Sequence, residues 1–278
     1  MASKIIFFDI DGTLINFGGD FPESAQKALR LAKENGHQIF LCTGRSKCQI
    51  ENRLLEFGFD GFVSAAGAYV EHHGKEVYSN YMSKAKLSKL IDYVEGHDMV
   101  YMMQCTDNVV ATGKCMDAIH ENFKKMHPDS APKNIEKIFE CEYRDDNLKD
   151  NLEKYNNAEK VCYYNAEMTL EQIIEDLKGD FDVTAMSFND VRKGSGEITA
   201  AGVTKALGME KLIEYLGISK EDTVAFGDGP NDFEMIDFAG IGVAMGNASD
   251  ELKSKADMVT THITEDGIYN GLKELKLI

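Results

Sequence analysis

Three aspartates follow apolar segments of the chain, and their placement predicts a cation site. Asp9 and Asp11 come directly after the run "IIFF" in "KIIFFDIDGTL" (4–14), and Asp228 follows "VAFG" in "VAFGDGPND" (224–232). Carboxylates that lie close together repel one another unless a cation or protons intervene. A small number of hard oxygen ligands, with room for water, suits Mg²⁺. The aspartates therefore predict a magnesium site.

Small and hydroxyl-bearing residues near these aspartates predict an anion-binding loop. Gly12 and Thr13 follow the first pair, and Thr43-Gly44 ends another apolar run in "FLCTGR". Such residues offer hydroxyls and accessible backbone N–H groups, which bind anions. Lys205 lies near the start of a predicted helix, where a cation beside the helix-terminal N–H groups favours a phosphate. A metal, an anion-binding loop, a lysine and a carboxylate nucleophile together predict phosphoryl transfer through an aspartyl-phosphate.

The segments that position these residues are predicted to be buried strands that alternate with helices. The apolar runs are near-continuous, which is typical of parallel strands covered on both faces, and they occupy 4–10, 37–43, 60–66, 222–228, 240–245 and 257–262. Helical patterns at 22–36 and 204–217 end at Gly36 and Gly217. This alternation predicts an α/β fold with a doubly wound, Rossmann-like parallel sheet. Ligands bind beyond the carboxyl ends of such strands, where the aspartates and Thr43 fall.

The composition and the pattern of predicted elements change in the middle of the chain, and we expect a second domain there. "AYVEHHGKEVYS" (68–79) alternates around His73-Gly74 and predicts a hairpin. From 83 to 188 the sequence is rich in Lys, Asp, Glu and Asn and mixes longer helices with isolated strands such as 160–166. We interpret 83–188 as an inserted α/β domain. It divides the core domain into a first part, 1–82, and a second part, 189–278.

Composition limits the partners of this chain. It has 278 residues, is 43% hydrophobic and 28% charged, and carries a formal net charge of −17. Such a charge repels nucleic acid and anionic lipid surfaces, so we expect neither as a partner. No apolar run is long enough to span a membrane, and no secretory leader pattern opens the chain. We therefore expect a cytoplasmic protein, and a monomer is the simplest expectation.

The motifs, taken in order, resemble those of a known enzyme family. "DIDGTL", "CTGR", the downstream Lys205 and "GDGPNDFEM" are similar to the four motifs of the haloacid dehalogenase-like hydrolases. The resemblance is closest to the Cof-type phosphatase branch, which carries a large α/β cap between the second and third motifs. The stretch 242–268 also resembles that branch. The resemblance covers the core domain by sequence, and the cap by position and size.

This resemblance implies catalytic and metal-binding roles for the aspartates. Asp9 would be the nucleophile and would share the metal. Asp11 would protonate the leaving oxygen and then activate water, and its backbone carbonyl would also bind the metal. Asp228 would bind Mg²⁺ through its side chain, and Asp232 would support the metal shell. Carboxylates that lie close together raise the pKa of one of them. A raised pKa suits Asp11, which must be protonated when the leaving group departs.

The resemblance also implies a phosphate-binding set and a substrate class. Thr43 and Lys205 would hold the phosphoryl oxygens and Asn231 would face the phosphate, with Ile10 and Gly44 completing the set. The cap would close over the cleft and select a small phosphorylated metabolite, with sugar phosphates as the first expectation.

One departure and two alternatives accompany this interpretation. The chain reads "SAAGAYV" after the third predicted strand, with Ala66 where relatives often carry Asn. Substrate details of relatives therefore transfer poorly. A phosphomannomutase-like transfer to a sugar would use a similar core and cap. A non-catalytic regulator that binds a sugar phosphate is the other alternative, although the chain retains both Asp9 and Asp11.

Overall fold

A computed structural model describes residues 3–126, 142–185 and 194–278. The chain forms two compact units. The first contains 1–44, 52–79 and 204–278, and the second contains 45–51 and 80–203.

The first unit contains an eight-stranded sheet with the order β14-β13-β12-β1-β2-β3-β4-β5. All pairs from β14 to β3 are parallel, and β3, β4 and β5 pair antiparallel. The strands are β1 (Ile5–Phe8), β2 (Gln38–Cys42), β3 (Gly61–Ser64), β4 (Tyr69–His72), β5 (Lys75–Ser79), β12 (Thr223–Gly227), β13 (Ile241–Ala244) and β14 (Met258–Val259).

Helices cover both faces of this sheet, because successive residues of a strand point to opposite sides. Phe7 packs in one cluster with Met209 and Leu212 of the helix Lys205–Leu216. On the other face, the ring of Phe8 stacks on Phe226 at 5.1 Å, and Phe226 lies against the helix Gly267–Glu274. The remaining helices of this unit are Glu23–Glu34, Asn52–Leu55, Phe233–Phe238 and Asp250–Lys255. The predicted Rossmann-like α/β class is confirmed.

Local sequence signals account for the element ends. The helix Lys205–Leu216 begins after Thr204, whose hydroxyl accepts a hydrogen bond from Leu207 N at 3.1 Å, and it ends at the left-handed Gly217. The predicted hairpin is β4 and β5, joined by His73 and Gly74 with φ of 47° and 75°. Two consecutive positive φ angles are the requirement of the commonest two-residue hairpin turn.

The second unit is built on a six-stranded sheet with the order β10-β11-β9-β6-β7-β8. These strands pair antiparallel except for β7 with β8. They are β6 (Val100–Cys105), β7 (Val109–Ala111), β8 (Glu142–Arg144), β9 (Ala158–Tyr164), β10 (Phe181–Ala185) and β11 (Gly196–Ala200). Its described helices are Lys84–Gly96, Gly113–Met126 and Leu170–Leu177.

The bounds of the second unit differ from the predicted 83–188. The strand β11, which the prediction assigns to the returning part of the core, pairs antiparallel with both β10 and β9. The segment Arg45–Glu51 also belongs to the second unit, since Cys48 N donates to Thr106 O at 3.0 Å. The predicted end at 188 lies outside the described residues. We propose that the inserted domain comprises 80–203.

Candidate active site

Three carboxylates meet at one edge of the eight-stranded sheet. Asp9 follows β1 and Asp228 follows the neighbouring parallel strand β12, while Asp232 ends the short 3-10 helix Pro230–Asp232. One oxygen of each lies within 4.8 Å of the others. Parallel strands end at the same edge of a sheet, which explains why residues so distant in sequence meet here.

Lys205 lies between two of these carboxylates. Its Nζ is 2.6 Å from Asp9 Oδ1 and 2.6 Å from Asp232 Oδ1, and its side chain is fully buried. Burial alone lowers the pKa of Lys205, but the Asp232 and Asp9 carboxylates outweigh burial and raise this pKa. The lysine is therefore a permanent charge on the first residue of its helix, held by hydrogen bonds to two carboxyl groups.

Asp232 is held by backbone donors as well as by the lysine. Its Oδ2 accepts hydrogen bonds from the backbone N–H groups of Asp228 and Gly229, each at 2.9 Å. The residue is completely buried. Asp232 therefore connects the loop after β12 to Lys205, and this connection fixes the backbone position of Asp228.

Asp228 is oriented by two side chains. Thr13 Oγ1 donates to its Oδ1 at 2.8 Å, and Asn247 Nδ2 donates to its Oδ2 at 3.2 Å. Burial, together with the charge of Asp232, raises the pKa of Asp228 to about 7. Burial also raises the pKa of Asp9 well above 3.8, although Lys205 opposes this shift. Crowded carboxylates with raised pKa values are the setting in which a bound cation favours the ionised forms.

Asp11 lies in a tight loop beside this group. Gly12 N donates to Ile15 O at 2.8 Å, and Ile10 O accepts from Leu14 N and Ile15 N. Gly12 has a φ of 92°, and a Cβ at this position would lie 2.1 Å from an oxygen of Asp228. Only glycine permits this loop to approach the cluster so closely. After burial and the nearer charges, Asp11 adds the smallest contribution to the raised pKa of Asp9 and Asp228, and its carboxylate is not one of the three clustered groups.

The predicted phosphate-binding residues lie on the adjacent loops. Thr43 is buried and follows β2, the neighbour of β1. A Cβ on Gly44 would lie 3.3 Å from Asn231 Nδ2, so the structure brings these two residues together. Ile10 is fully buried, and its carbonyl closes the Asp11 loop.

Sequence reasoning missed Asn247, which joins three loops. Its Nδ2 donates to Gly12 O at 2.8 Å and to Asp228, and its Oδ1 accepts from Ile263 N at 3.1 Å. The signal was available, because Asn247 follows β13, the next parallel strand after β12. Thr13 was expected only as part of an anion-binding loop, whereas its hydroxyl donates to Asp228.

A parallel α/β sheet with clustered carboxylates and a buried lysine at its carboxyl edge defines a class of hydrolases, and comparison with known proteins gives the family. Residues 6–272 match the profile of the family described as haloacid dehalogenase-like hydrolase. The Bacillus subtilis (strain 168) protein YkrA is 32% identical over 283 residues, which cover 100% of each chain. The 5-amino-6-(5-phospho-D-ribitylamino)uracil phosphatase YitU of the same strain is 28% identical over 97% of this chain and 96% of its own. Among solved structures, the subclass IIB sugar phosphatase BT4131 has a TM-score of 0.77 and 27% identity, covering 99% of this chain and 100% of its own.

The chain therefore belongs to the haloacid dehalogenase-like hydrolase family, in its Cof-type phosphatase branch. It is an enzyme of the phosphatase class, which acts on small phosphorylated substrates. In the part of the chain that the structure describes, none of the helices combines the length and apolar character needed to cross a membrane.

Proposed function

We propose that this enzyme is a Mg²⁺-dependent phosphatase that hydrolyses sugar phosphates or sugar-alcohol phosphates through an aspartyl-phosphate on Asp9. The observation that carries the proposal is the buried group of Asp9, Asp228 and Asp232 with Lys205 between two of them. Cations meet the charge that spreads over a transferring phosphoryl group, so such a site suits this reaction.

The donor set fits Mg²⁺. The clustered atoms are carboxylate oxygens, which are hard ligands, and their number leaves room for water and a substrate oxygen. Asp9 and Asp228 would be ligands, with the backbone carbonyl of Asp11 as a further one, while Asp232 holds the loop that carries Asp228. When bound, the metal would neutralise the carboxylates and polarise the phosphoryl group.

In the first half of the reaction, a carboxylate oxygen of Asp9 attacks phosphorus. An O–P bond to Asp9 forms as the ester O–P bond breaks, and Asp11 gives its proton to the departing alkoxide oxygen. Lys205 and Thr43 hold the phosphoryl oxygens, since Lys205 Nζ contacts Asp9 and Thr43 follows the strand next to β1. Gly44 and Asn231, which lie close to one another, bind beside them. The buried β1 strand behind Asp9 keeps the nucleophile in place.

In the second half, Asp11 removes a proton from a water molecule, which attacks phosphorus and releases Asp9 and inorganic phosphate. Asp11 is half-buried, and its loop is fixed by Gly12 and Ile15 rather than by the carboxylate group. A residue beside the cluster but outside it can exchange protons with substrate and water, which suits an acid that later acts as a base.

The substrate class rests on the relatives. BT4131 is named a sugar phosphatase, and the name of YitU specifies a phosphorylated ribityl chain. A phosphate on a polyhydroxylated carbon chain is common to both names. We therefore propose this class for the present enzyme, while the cytoplasmic location and the monomeric state stay predictions.

The test is phosphate release from a panel of sugar and sugar-alcohol monophosphates. We expect turnover with Mg²⁺, little turnover with Ca²⁺, which is larger and less strict in geometry, and none for Asp9→Asn. Asp237→Asn, an exposed aspartate of the helix Phe233–Phe238, is the matched control and should retain activity.

Three outcomes would contradict the proposal. Substantial turnover by Asp9→Asn would exclude the aspartyl-phosphate. A positional isomer formed without phosphate release would indicate a mutase. Tight binding of a sugar phosphate with no Mg²⁺-dependent release of phosphate would indicate a regulator.

A further inference from the structure

The turn after β3 has an unusual backbone. Ala65, Ala66 and Gly67 have consecutive φ angles of 49°, 55° and 105°. Two of these left-handed residues are alanines, which carry a Cβ and so pay a steric penalty in this region. Such a conformation persists only where its surroundings enforce it. The residues that contact the turn 65–67 therefore indicate what this conformation does in the structure.

One neighbour is the start of the helix that carries Lys205. A Cβ on Gly67 would lie 1.9 Å from Thr204 O, and a Cβ on Gly208 would lie 2.4 Å from Val63 Cγ1 and 3.0 Å from Gly67 Cα. The backbone of the turn 65–67 thus lies directly against the first turn of the helix, with no side chain between them. Residues Gly67 and Gly208 must both lack a Cβ for this approach.

The other neighbour is the loop that carries Thr43. Ala66 N donates to Thr43 O at 3.0 Å, and Thr43 N donates to Val63 O at 2.8 Å. The left-handed conformation of Ala65 and Ala66 directs this N–H back toward β2. The turn 65–67 therefore contacts Thr43 on one side and the helix of Lys205 on the other.

We propose that the turn 65–67, with Gly208, is a positioning element that fixes the distance between Thr43 and Lys205. This inference rests on the proposed function, in which these two residues hold the phosphoryl oxygens. Close backbone packing suits this task, because packed backbone is far less adaptable than a side-chain contact. Gly67 and Gly208 are positioning residues that act through Thr43 and Lys205.

The test is Gly208→Ala, which adds one methyl group between the helix and the turn. The methyl group must move the helix or the turn by a fraction of an ångström to 1 Å, and a misplacement of about 1 Å at a reactive site can cost about 100-fold in rate. We expect kcat/KM for a phosphate ester to fall ten- to a hundredfold and the inhibition constant of inorganic phosphate to rise at least tenfold.

Gly217→Ala is the matched control. Gly217 ends the same helix with a φ of 66°, and a Cβ there would meet nothing within 4 Å. The control strains the same helix at the end away from Lys205, so it should lower the melting temperature without changing phosphate inhibition. If Gly208→Ala fails to fold, Val63→Ala/Gly208→Ala replaces it, since the alanine removes the Cγ1 contact and keeps the 3.0 Å approach to Gly67. Val63→Ala alone is then its control.

A double-mutant cycle separates this inference from the proposed function. In a Lys205→Met background, Gly208→Ala should weaken phosphate binding less than twofold further, because the group that it displaces is gone. Equal weakening with and without Lys205 would overturn the positioning role. The positioning role would also be overturned if the inhibition constant of inorganic phosphate for Gly208→Ala lay within twofold of its value for Gly217→Ala. If Lys205→Met itself leaves phosphate binding unchanged, the proposed phosphate site fails instead.

Discussion

Replacing Lys205 with methionine would leave two buried carboxylates without the cation that lies between them. Methionine has a similar length and fills the same space, so the change removes charge and hydrogen bonds but little packing. Lys205 Nζ is 2.6 Å from Asp9 Oδ1 and 2.6 Å from Asp232 Oδ1, and the exposed fractions of the three side chains are 0%, 7% and 0%. Solvent therefore cannot replace the lysine.

The expected loss of stability is large. Removing one partner of a buried ion pair costs about 3–5 kcal/mol, because the remaining charge stays buried and uncompensated. Here two carboxylates share one lysine, so we expect the free energy of unfolding at pH 8 to fall by about 4 kcal/mol or more. A loss of this size would reach a large part of the stability of a typical domain.

The loss should depend on pH in a defined direction. Burial raises the pKa of Asp9 above 3.8 and Lys205 opposes this shift, so the variant should have a still higher pKa for Asp9. A carboxyl group with a raised pKa in the folded state favours folding below its unfolded pKa, and this contribution is lost as pH rises through the folded pKa. The stability gap between the wild type and Lys205→Met should therefore widen as pH rises through the wild-type pKa of Asp9, which lies well above 3.8.

Urea unfolding at pH 4.5 and pH 8, in the presence of a chelator and followed by far-UV circular dichroism, measures this gap. Lys160→Met is the matched control in the second unit. Lys160 is also buried, but its partner Glu197 lies 2.9 Å away and is 26% exposed. We expect a smaller loss for the control, about 1–2 kcal/mol, since water can still solvate the carboxylate.

Two results would refute the reasoning. A Lys205→Met protein within about 1 kcal/mol of the wild type at pH 8 would mean that the lysine does not stabilise a charged pair. A gap of equal size at both pH values would mean that the ionisation of Asp9 is not coupled to Lys205.

Three further predictions concern the metal and a buried acid. Asn247→Ala removes the hydrogen bonds to Gly12 O and Asp228, so the Mg²⁺ concentration for half-maximal phosphate release should rise about 10- to 100-fold. Asn270→Ala is the control, since it removes hydrogen bonds to Thr261 and Glu265 instead, and an unchanged Mg²⁺ requirement in Asn247→Ala would exclude this role. Mg²⁺ and inorganic phosphate should strengthen one another's binding, since each relieves electrostatic repulsion that the other meets at the carboxylates. Titration calorimetry measures the affinity for phosphate with and without Mg²⁺, and equal affinities would contradict the metal site. Burial raises the pKa of Glu159 from 4.5 to about 7, so stability should fall by roughly 3 kcal/mol as pH rises from 4.5 to 7. Glu159→Gln should remove this decline, which denaturant unfolding at both pH values would detect, and an unaltered slope would show that Glu159 ionises normally.

Much of the core unit could be read from local patterns. The runs that became β1, β2, β3 and β12 are apolar without alternation, and a run of that kind can be satisfied only by burial on both faces. The position of Asp9 and Asp228 at strand ends then follows, because ends of parallel strands share an edge. Asp9, Asp228 and Lys205 could therefore be named as one constellation before their distances were known.

The strand pairing and the bounds of the second unit were harder to predict from the sequence. The strand β11 lies far from the start of its sheet in sequence, and its pairing with β9 and β10 depends on partners that no local signal specifies. The short segment Arg45–Glu51 joins the second unit through contacts such as Cys48 N with Thr106 O. Element type follows from periodicity, whereas the partners of a strand follow from packing.

By itself, the sequence determined the kind of sheet, the edge at which the chemistry lies and the residue types gathered there, because hydropathy and chain order control which segments are buried and where they end. Only the tertiary structure decided that Lys205 lies between Asp9 and Asp232, that Asn247 links the Gly12 loop to Asp228, and that Ala65 and Ala66 adopt left-handed angles. Each of these features joins residues that are distant along the chain or imposes a conformation that the residue itself disfavours. Close packing, which acts between segments and leaves no local trace, supplies the free energy for both.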